Sequence, residues 1–172
     1  MTPSGAVRSA RLAGAAAILL LLSGCLYGFS GGGGLPRNLR TVAVQPFDNL
    51  TASAELQREV LEEVRKGMRD RLSLREAPEA KASVVVKGTI VKYEVDLAAG
   101  VSADPRQTTS TRRRLQLVID IDIIDQLTGR ALFSKKGLST EGQYPEGGEA
   151  SGRRDAIESF VNQVIEGMQS QW

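Results

Sequence analysis

Between Arg112 and Asp125 the chain alternates strictly. Leu115, Leu117, Ile119, Ile121 and Ile123 fall on one side of an extended backbone, and Arg112, Arg114, Gln116, Asp120 and Asp122 fall on the other. This is the pattern of a strand with one buried and one wet face. Asp125-Gln126-Leu127-Thr128-Gly129 then forms a short glycine-containing turn into an extended run from Arg130 to Leu138, which predicts a hairpin. Another strand is expected over Ala82 to Val95. Val85, Val91, Tyr93 and Val95 gather on one of its faces and Val84, Val86 and Ile90 on the other, so its start is apolar on both sides, as in a central strand.

Two segments carry a helical period instead. Leu56, Val60, Leu61, Val64, Met68 and Leu72 share one face of a helix opening near Ser53, with Ser53 as candidate cap and Glu55 suited to the positive end of the helix dipole. Arg58, Glu62, Glu63, Arg65, Lys66 and Arg69 occupy its opposite face. Ala156, Ile157, Phe160, Val161, Val164, Ile165 and Met168 recur in the same way after a polar, glycine-rich loop from Ser139 to Gly152, and Trp172 is expected to cap the core. Thr41 to Phe47 reads as a short strand that Pro46 ends, followed by a turn at Asp48-Asn49. The order is strand, helix, strand, strand, strand, helix. It predicts an α+β fold, a two-layer sandwich with two helices packed on one face of a four-stranded, mostly antiparallel sheet.

The N-terminus follows a different grammar. Arg8 and Arg11 precede an apolar run from Leu12 to Leu22, and the small residues Ser23 and Gly24 stand directly before Cys25, the layout of a secretory signal. The run is about half of the roughly 20 residues that a spanning helix needs. Leu22-Ser23-Gly24-Cys25 resembles a bacterial lipobox. By that resemblance residues 1–24 are a signal peptide that is removed, and the Cys25 thiol carries diacylglycerol while its new amino group is acylated. A buried structural cysteine is the competing reading. More than one long acyl chain suffices for stable membrane anchoring. Leu26 rather than aspartate follows the cysteine, which by lipoprotein sorting rules favours the outer membrane of a two-membrane bacterium, on the periplasmic side. Residues 25–39 then form a lipidated, glycine-rich tether, and residues 40–172 a single domain.

Composition narrows the chemistry. Cys25 is the only cysteine, so no internal disulfide is possible, and the chain has no histidine. Histidine-dependent triads, histidine-ligated zinc and an imidazole acid or base are all absent, which argues against the common hydrolases. Loss of residues 1–24 takes two of the 22 basic residues and none of the 20 acidic ones, so the remaining chain is about neutral. Neutrality gives no general pull on nucleic acid.

Three local patterns remain. Asp120, Asp122 and Asp125 resemble a carboxylate cluster for a metal, but no further ligands can be assigned, and a solvated strand face with a turn-opening aspartate accounts for them. Gly31 to Gly34 lacks the flanking strand, helix and Lys-Ser/Thr of a phosphate loop. Arg112-Arg113-Arg114 is more informative: Arg113 points with the apolar set, an uncomfortable place for a charge except at the strand's open end. Arg106 lies nearby, and Lys135 and Lys136 join the cluster if the hairpin register allows. Arginine forks suit phosphate, and lipopolysaccharide is the abundant phosphorylated amphiphile facing such a lipoprotein; a solvated edge that discourages strand pairing is the other reading.

Cys25 followed by Tyr27-Gly28-Phe29, then Leu35-Pro36, "TVAVQPFDNLT" (41–51), "ASVVVKGTI" (82–90) and "RRLQLVIDIDIIDQLTGRALF" (113–133) together resemble the LptE family of lipopolysaccharide-assembly lipoproteins. The resemblance implies two helices on a four-stranded sheet, no enzymatic activity, and no cofactor beyond the lipid on Cys25. It implies as partner an LptD-like outer-membrane β-barrel, whose lumen the lipoprotein plugs and whose assembly it assists, and binding of lipopolysaccharide on its way to the outer leaflet. It places the lipopolysaccharide contacts on basic residues near the loop joining the second and third strands and on the neighbouring strand, here Arg106, Arg112, Arg114, Lys135 and Lys136. Outer-membrane lipoproteins that activate a peptidoglycan synthase, or that build a secretion pore ring, share a related two-layer domain and form the rival class.

Overall fold

A computed structural model describes residues 35–36, 38–98 and 113–170. The elements run β1 (Thr41–Val44), β2 (Asp48–Asn49), α1 (Glu55–Leu72), β3 (Arg75–Glu76), a 3-10 turn (Glu79–Lys81), β4 (Val84–Ala98), β5 (Arg113–Asp125), β6 (Ala131–Tyr144) and α2 (Glu149–Gln169). They form an α+β sandwich of two helices on one six-stranded sheet in the order β3-β1-β4-β5-β6, with β2 also on β4. The α+β class and the two helices are as expected. The sheet differs: β4, β5 and β6 form the antiparallel meander, but β1 pairs parallel with both β4 and β3, and β2 pairs parallel with β4. A short apolar run shows burial and carries no sign of strand direction, so the mixed sheet is invisible in the period-two pattern.

Alternation places the core. Leu115, Leu117, Ile119, Ile121 and Ile123 are fully buried against the helices, each stabilising the fold by about 1.5–3 kcal/mol relative to exposure. Val84, Val86 and Ile90 of β4 and Leu56, Val60, Val64 and Met68 of α1 join them, together with Ala156, Phe160, Val164 and Ile165 of α2.

Four local departures have physical causes. The pairing of β4 with β5 slips between Ile90 and Lys92, so Val91 is bulged out and exposed while Tyr93 pairs with Leu117 and turns to the core side, away from its expected companions. Asp48-Asn49 is β2 rather than a turn: the chain leaves β4 at Gln45, whose N–H still donates to the Val86 carbonyl, and returns to it two residues beyond Pro46. Phe47 fills the interruption, fully buried, and its ring lies where a Cβ on Gly88 would be, 2.2 Å from Cε1.

Ser53 does not cap α1. The helix begins at Glu55 with no side-chain cap, and the Ser53 carbonyl accepts from Asn49 Nδ2 at 2.8 Å. Finally, residues 139–144 are strand, not loop. Leu138, Thr140, Gly142 and Tyr144 alternate inward, and the glycine sits there because α2 runs across it: a Cβ on Gly142 would lie 1.8 Å from the Gly152 carbonyl oxygen. The predicted cap of the core, Trp172, lies outside the described residues.

Candidate functional site

The expected basic cluster sits where β4 ends and β5 begins. Cys25, Arg106 and Arg112 fall outside the described residues. Arg113 does point with the apolar set, and it is the first residue of β5, where its guanidinium reaches Asp96 at 2.9 Å and Glu146 at 3.1 Å. Tyr144, its cross-strand partner, donates its hydroxyl to Asp96 at 2.9 Å, while the Asp96 N–H donates back to the Tyr144 oxygen. Asp96 itself adopts φ 61°, a left-handed conformation held by these bonds. The Arg113 and Tyr144 hydrogen bonds hold the Asp96 carboxyl below its ordinary range. Arg113 is therefore committed to internal carboxylates.

Arg114 projects from the opposite, outer face of the sheet. One guanidinium nitrogen meets Glu141 at 3.2 Å, while Nε is buried without a hydrogen-bond partner. The Arg114 side chain is 38% exposed, and the guanidinium N–H groups outside the Glu141 contact remain as donors on that outer face.

The hairpin register separates the lysines from it. Arg114 pairs with Gln143 whereas Ile121 pairs with Lys135, seven positions further along β5, or about 23 Å at roughly 3.3 Å per residue. As neighbours on a strand the two lysines also point to opposite faces, and a bulge at Lys136-Gly137, with Gly137 at φ 63°, follows. Lys135 is exposed on the helix side, and Lys136 turns outward to Asp122 at 3.0 Å and Asp120 at 3.9 Å. Asp122 also accepts from Ser134 Oγ at 2.5 Å, and Asp120 from the Gly137 N–H at 2.7 Å, so both aspartates serve the bulge. Asp125 accepts from the Leu127 N–H and the Thr128 hydroxyl, as a turn-opening residue does.

A second network at the same end has no signal in the sequence. Arg153, only 12% exposed, is held by Glu59 at 2.7 and 3.1 Å, by Glu55 at 2.9 Å and by Glu149 at 3.4 Å, while Tyr93 donates to Glu149 at 2.7 Å. It ties the starts of α1 and α2 to β4. Hydrogen bonding to Glu59 holds the guanidinium charged, and burial followed by the Glu149 contact pushes the Tyr93 phenol well up. No periodicity marks the clamp as a whole: Glu149 is four residues back on the same helix, but Glu55 and Glu59 come from the other helix, Glu59 94 positions away.

These contacts set a pH dependence. Asp96, Asp122 and Asp125 all have folded-state carboxyls below the ordinary value, caused first by Arg113, Ser134 and Thr128 respectively. The native state thus binds fewer protons than the unfolded chain, and the stability these groups contribute is present above about pH 4 and lost as pH falls through their folded values. The urea midpoint is expected to be level from pH 7 to 5 and to fall below pH 4, with a smaller fall in Asp125→Asn. An equal acid fall in that variant would remove Asp125 from the account.

Among solved structures, protein XCC0632 from Xanthomonas campestris, of the DUF330 family, overlays with TM-score 0.53 at 8% identity, over 77% of this chain and 85% of that one. The hypothetical protein CT253 from Chlamydia trachomatis overlays with TM-score 0.52 at 10% identity, over 77% and 97%. A PelC dodecamer from Paraburkholderia phytofirmans gives TM-score 0.49 at 18% identity, over 77% and 89%. At identities this low the first two speak for a shared fold alone. No curated protein matches the chain in sequence. The match that speaks to family is LptE, described as lipopolysaccharide-assembly, and it runs over residues 39–171, from just before β1 to beyond the last turn of α2. The chain belongs to the LptE family of lipopolysaccharide-assembly lipoproteins, a non-enzymatic family of the cell envelope.

Proposed function

We propose that this protein is anchored in the outer membrane through acyl chains on Cys25, plugs the lumen of an LptD-like β-barrel, assists that barrel's assembly, and binds lipopolysaccharide in transit to the outer leaflet. The observation that carries the reading is the LptE match across both helices and the whole sheet. A compact domain without net charge on a lipid tether suits a plug. The experiment that tests it is a gentle-detergent pull-down of the lipidated protein from its own membranes with mass spectrometry of what stays bound. A large β-barrel in near-equal amount supports the proposal, whereas a peptidoglycan synthase, or only further copies of the chain, overturns it.

Lipopolysaccharide is received, in this reading, at the β4–β5 end, by Arg106, Arg112 and Arg114. Arg114 contributes the terminal guanidinium N–H groups that Glu141 leaves spare. Lys135 and Lys136, about 20 Å away along β5 at roughly 3.3 Å per residue, lie too far to share one phosphate with it. Charge reversal at Arg112 and Arg114 is expected to lower capture of lipopolysaccharide at least about tenfold, as for loss of charge-assisted hydrogen bonds of about 1.5–3 kcal/mol. Reversal at Lys135 and Lys136 is expected to change it less than threefold, roughly the scale of a surface charge effect. Equal losses from both pairs would show that capture follows overall charge and not this end of the sheet.

A further inference from the structure

One length of sheet edge is left open by the domain's own strands. Along one side of β4, β1 pairs as far as Val86 and β2 as far as Ile90, whose carbonyl accepts the Leu50 N–H at 3.0 Å. Beyond Ile90 no described strand continues on that side, while β5 keeps pairing on the other. The open stretch is Val91-Lys92-Tyr93-Glu94-Val95. It begins at the slip that bulges Val91 and ends at Asp96, left-handed at φ 61°, where the pairing with β5 slips again.

Exposed apolar side chains gather there. Of the four large ones among the described residues, Val91 (40% exposed) and Val95 (38%) belong to the stretch and Leu50 (70%) stands at its start. An open strand edge is a template for another strand, and charge is the usual guard against such pairing. β6, at the other edge of the sheet, carries Lys135, Lys136 and the bulge at Gly137. On the open stretch of β4 the lysine is already matched, since Lys92 meets Glu94 at 3.0 Å. The Tyr93 phenol is turned to Glu149 on the helix side, away from the pairing edge.

We infer that this edge is a self-association surface, on which two copies of the chain pair antiparallel through Val91–Val95, centred on Tyr93. The occupant is a second copy because the five residues complement themselves. In that register Lys92 falls opposite Glu94 of the second copy and Glu94 opposite its Lys92, while each Val91 falls opposite a Val95. Opposite charges meet at both polar pairs, and apolar side chains meet at both ends, where each copy also brings Leu50. A contact that reads the same from either side is what a two-fold interface requires. Pairing over five residues falls short of the roughly 1,200 Å² of a stable interface, so the dimer is weak and concentration-dependent. It belongs to the domain alone and does not depend on a barrel partner.

The test uses the full mature chain, residues 25–172, with Cys25→Ser so that lipid does not bring copies together. Val91→Cys and Val95→Cys are made singly, one with a longer tag, and oxidised mildly, alone and mixed. Position 91 then faces position 95 of the second copy at about 5 Å between Cα atoms, within disulfide reach. Two copies of position 91 lie about 13 Å apart, four residues at roughly 3.3 Å each. The expected result is a mixed disulfide formed several-fold faster than either homodimer, and faster than Val91→Cys with the exposed control Leu127→Cys. Lys92→Glu sets like charges opposite each other at both pairs and is expected to slow the mixed reaction about tenfold. Lys92→Glu/Glu94→Lys restores the match with the signs exchanged and is expected to recover the rate. Equal rates in all mixtures, or a double variant as slow as the single one, overturn the inference. Sedimentation of the Cys25→Ser chain without further substitution reads the dimer independently of the added cysteines, and a chain still monomeric at about 1 mM overturns it as well.

Discussion

Gly142→Ala is expected to lower the thermal midpoint by about 10 °C, corresponding to a loss of about 3 kcal/mol for a domain of this size. The added methyl would stand 1.8 Å from the Gly152 carbonyl oxygen and 2.6 Å from its carbon, backbone atoms that no rotamer change can move. Relief requires α2 to lift from β6, and that helix buries Ala156, Ile157, Phe160, Val161, Val164, Ile165 and Met168. Gly152→Ala is the less clean probe, because alanine gains about 1 kcal/mol of helix propensity over glycine while its methyl meets the Tyr144 ring at 2.6 Å. Ser139→Ala, on the exposed side of the same strand, is expected to change stability by less than about 0.5 kcal/mol. Calorimetry of the three variants decides the matter; a Gly142→Ala protein that melts with the parent would mean that α2 does not approach β6 this closely.

Phe47→Ala is expected to cost about 4 kcal/mol, the scale of a fully buried aromatic ring removed without collapse of its site. The ring lies between β1 and β2 and holds the chain where it leaves and rejoins β4, and Gln57 Nε2 donates to the Phe47 carbonyl at 2.7 Å, tying the same residue to α1. Gly88→Ala attacks the contact from the other side, with its methyl 2.2 Å from Cε1. In the Phe47→Ala background the Gly88 substitution is expected to cost less than half of its effect in the parent, since the ring it displaces is gone. The remainder comes from the Asp120 carbonyl oxygen, 2.8 Å from the new methyl. A double-mutant cycle by urea denaturation reads the coupling, expected at about 1–3 kcal/mol for residues in contact; additive losses would place the ring elsewhere.

The elements legible in sequence are those whose own residues suffice to define them. Leu115 to Ile123 announce a one-sided strand, Val84 to Val86 a central one, and Leu56 to Met68 a packed helix, because alternation and the 3.6 period are properties of one segment. What stayed hidden depends on a partner. Gly142 and Thr140 look like loop residues until α2 is laid over them, with Thr140 donating to the Ala156 carbonyl at 2.9 Å. The parallel direction of β1 depends on β4, and the face that Tyr93 takes depends on a bulge. The candidate site divides in the same way. The strained position of Arg113 could be read from parity, whereas its carboxylate partners, the distance to Lys135 and the three-carboxylate clamp on Arg153 follow from register and helix packing.

The mixed sheet also bears on the order in which the molecule becomes stable. The β4–β5–β6 meander and α2 are neighbours in sequence and close by short loops or a single longer one, so their contacts cost little chain entropy. Val42, by contrast, finds its parallel partner Val84 only 42 residues later. The first strand of the domain is therefore the last to be secured. Until β4 exists, Val42, Val44 and Phe47 form an apolar segment with no sheet to join, and this is the interval in which a holding factor would protect the chain.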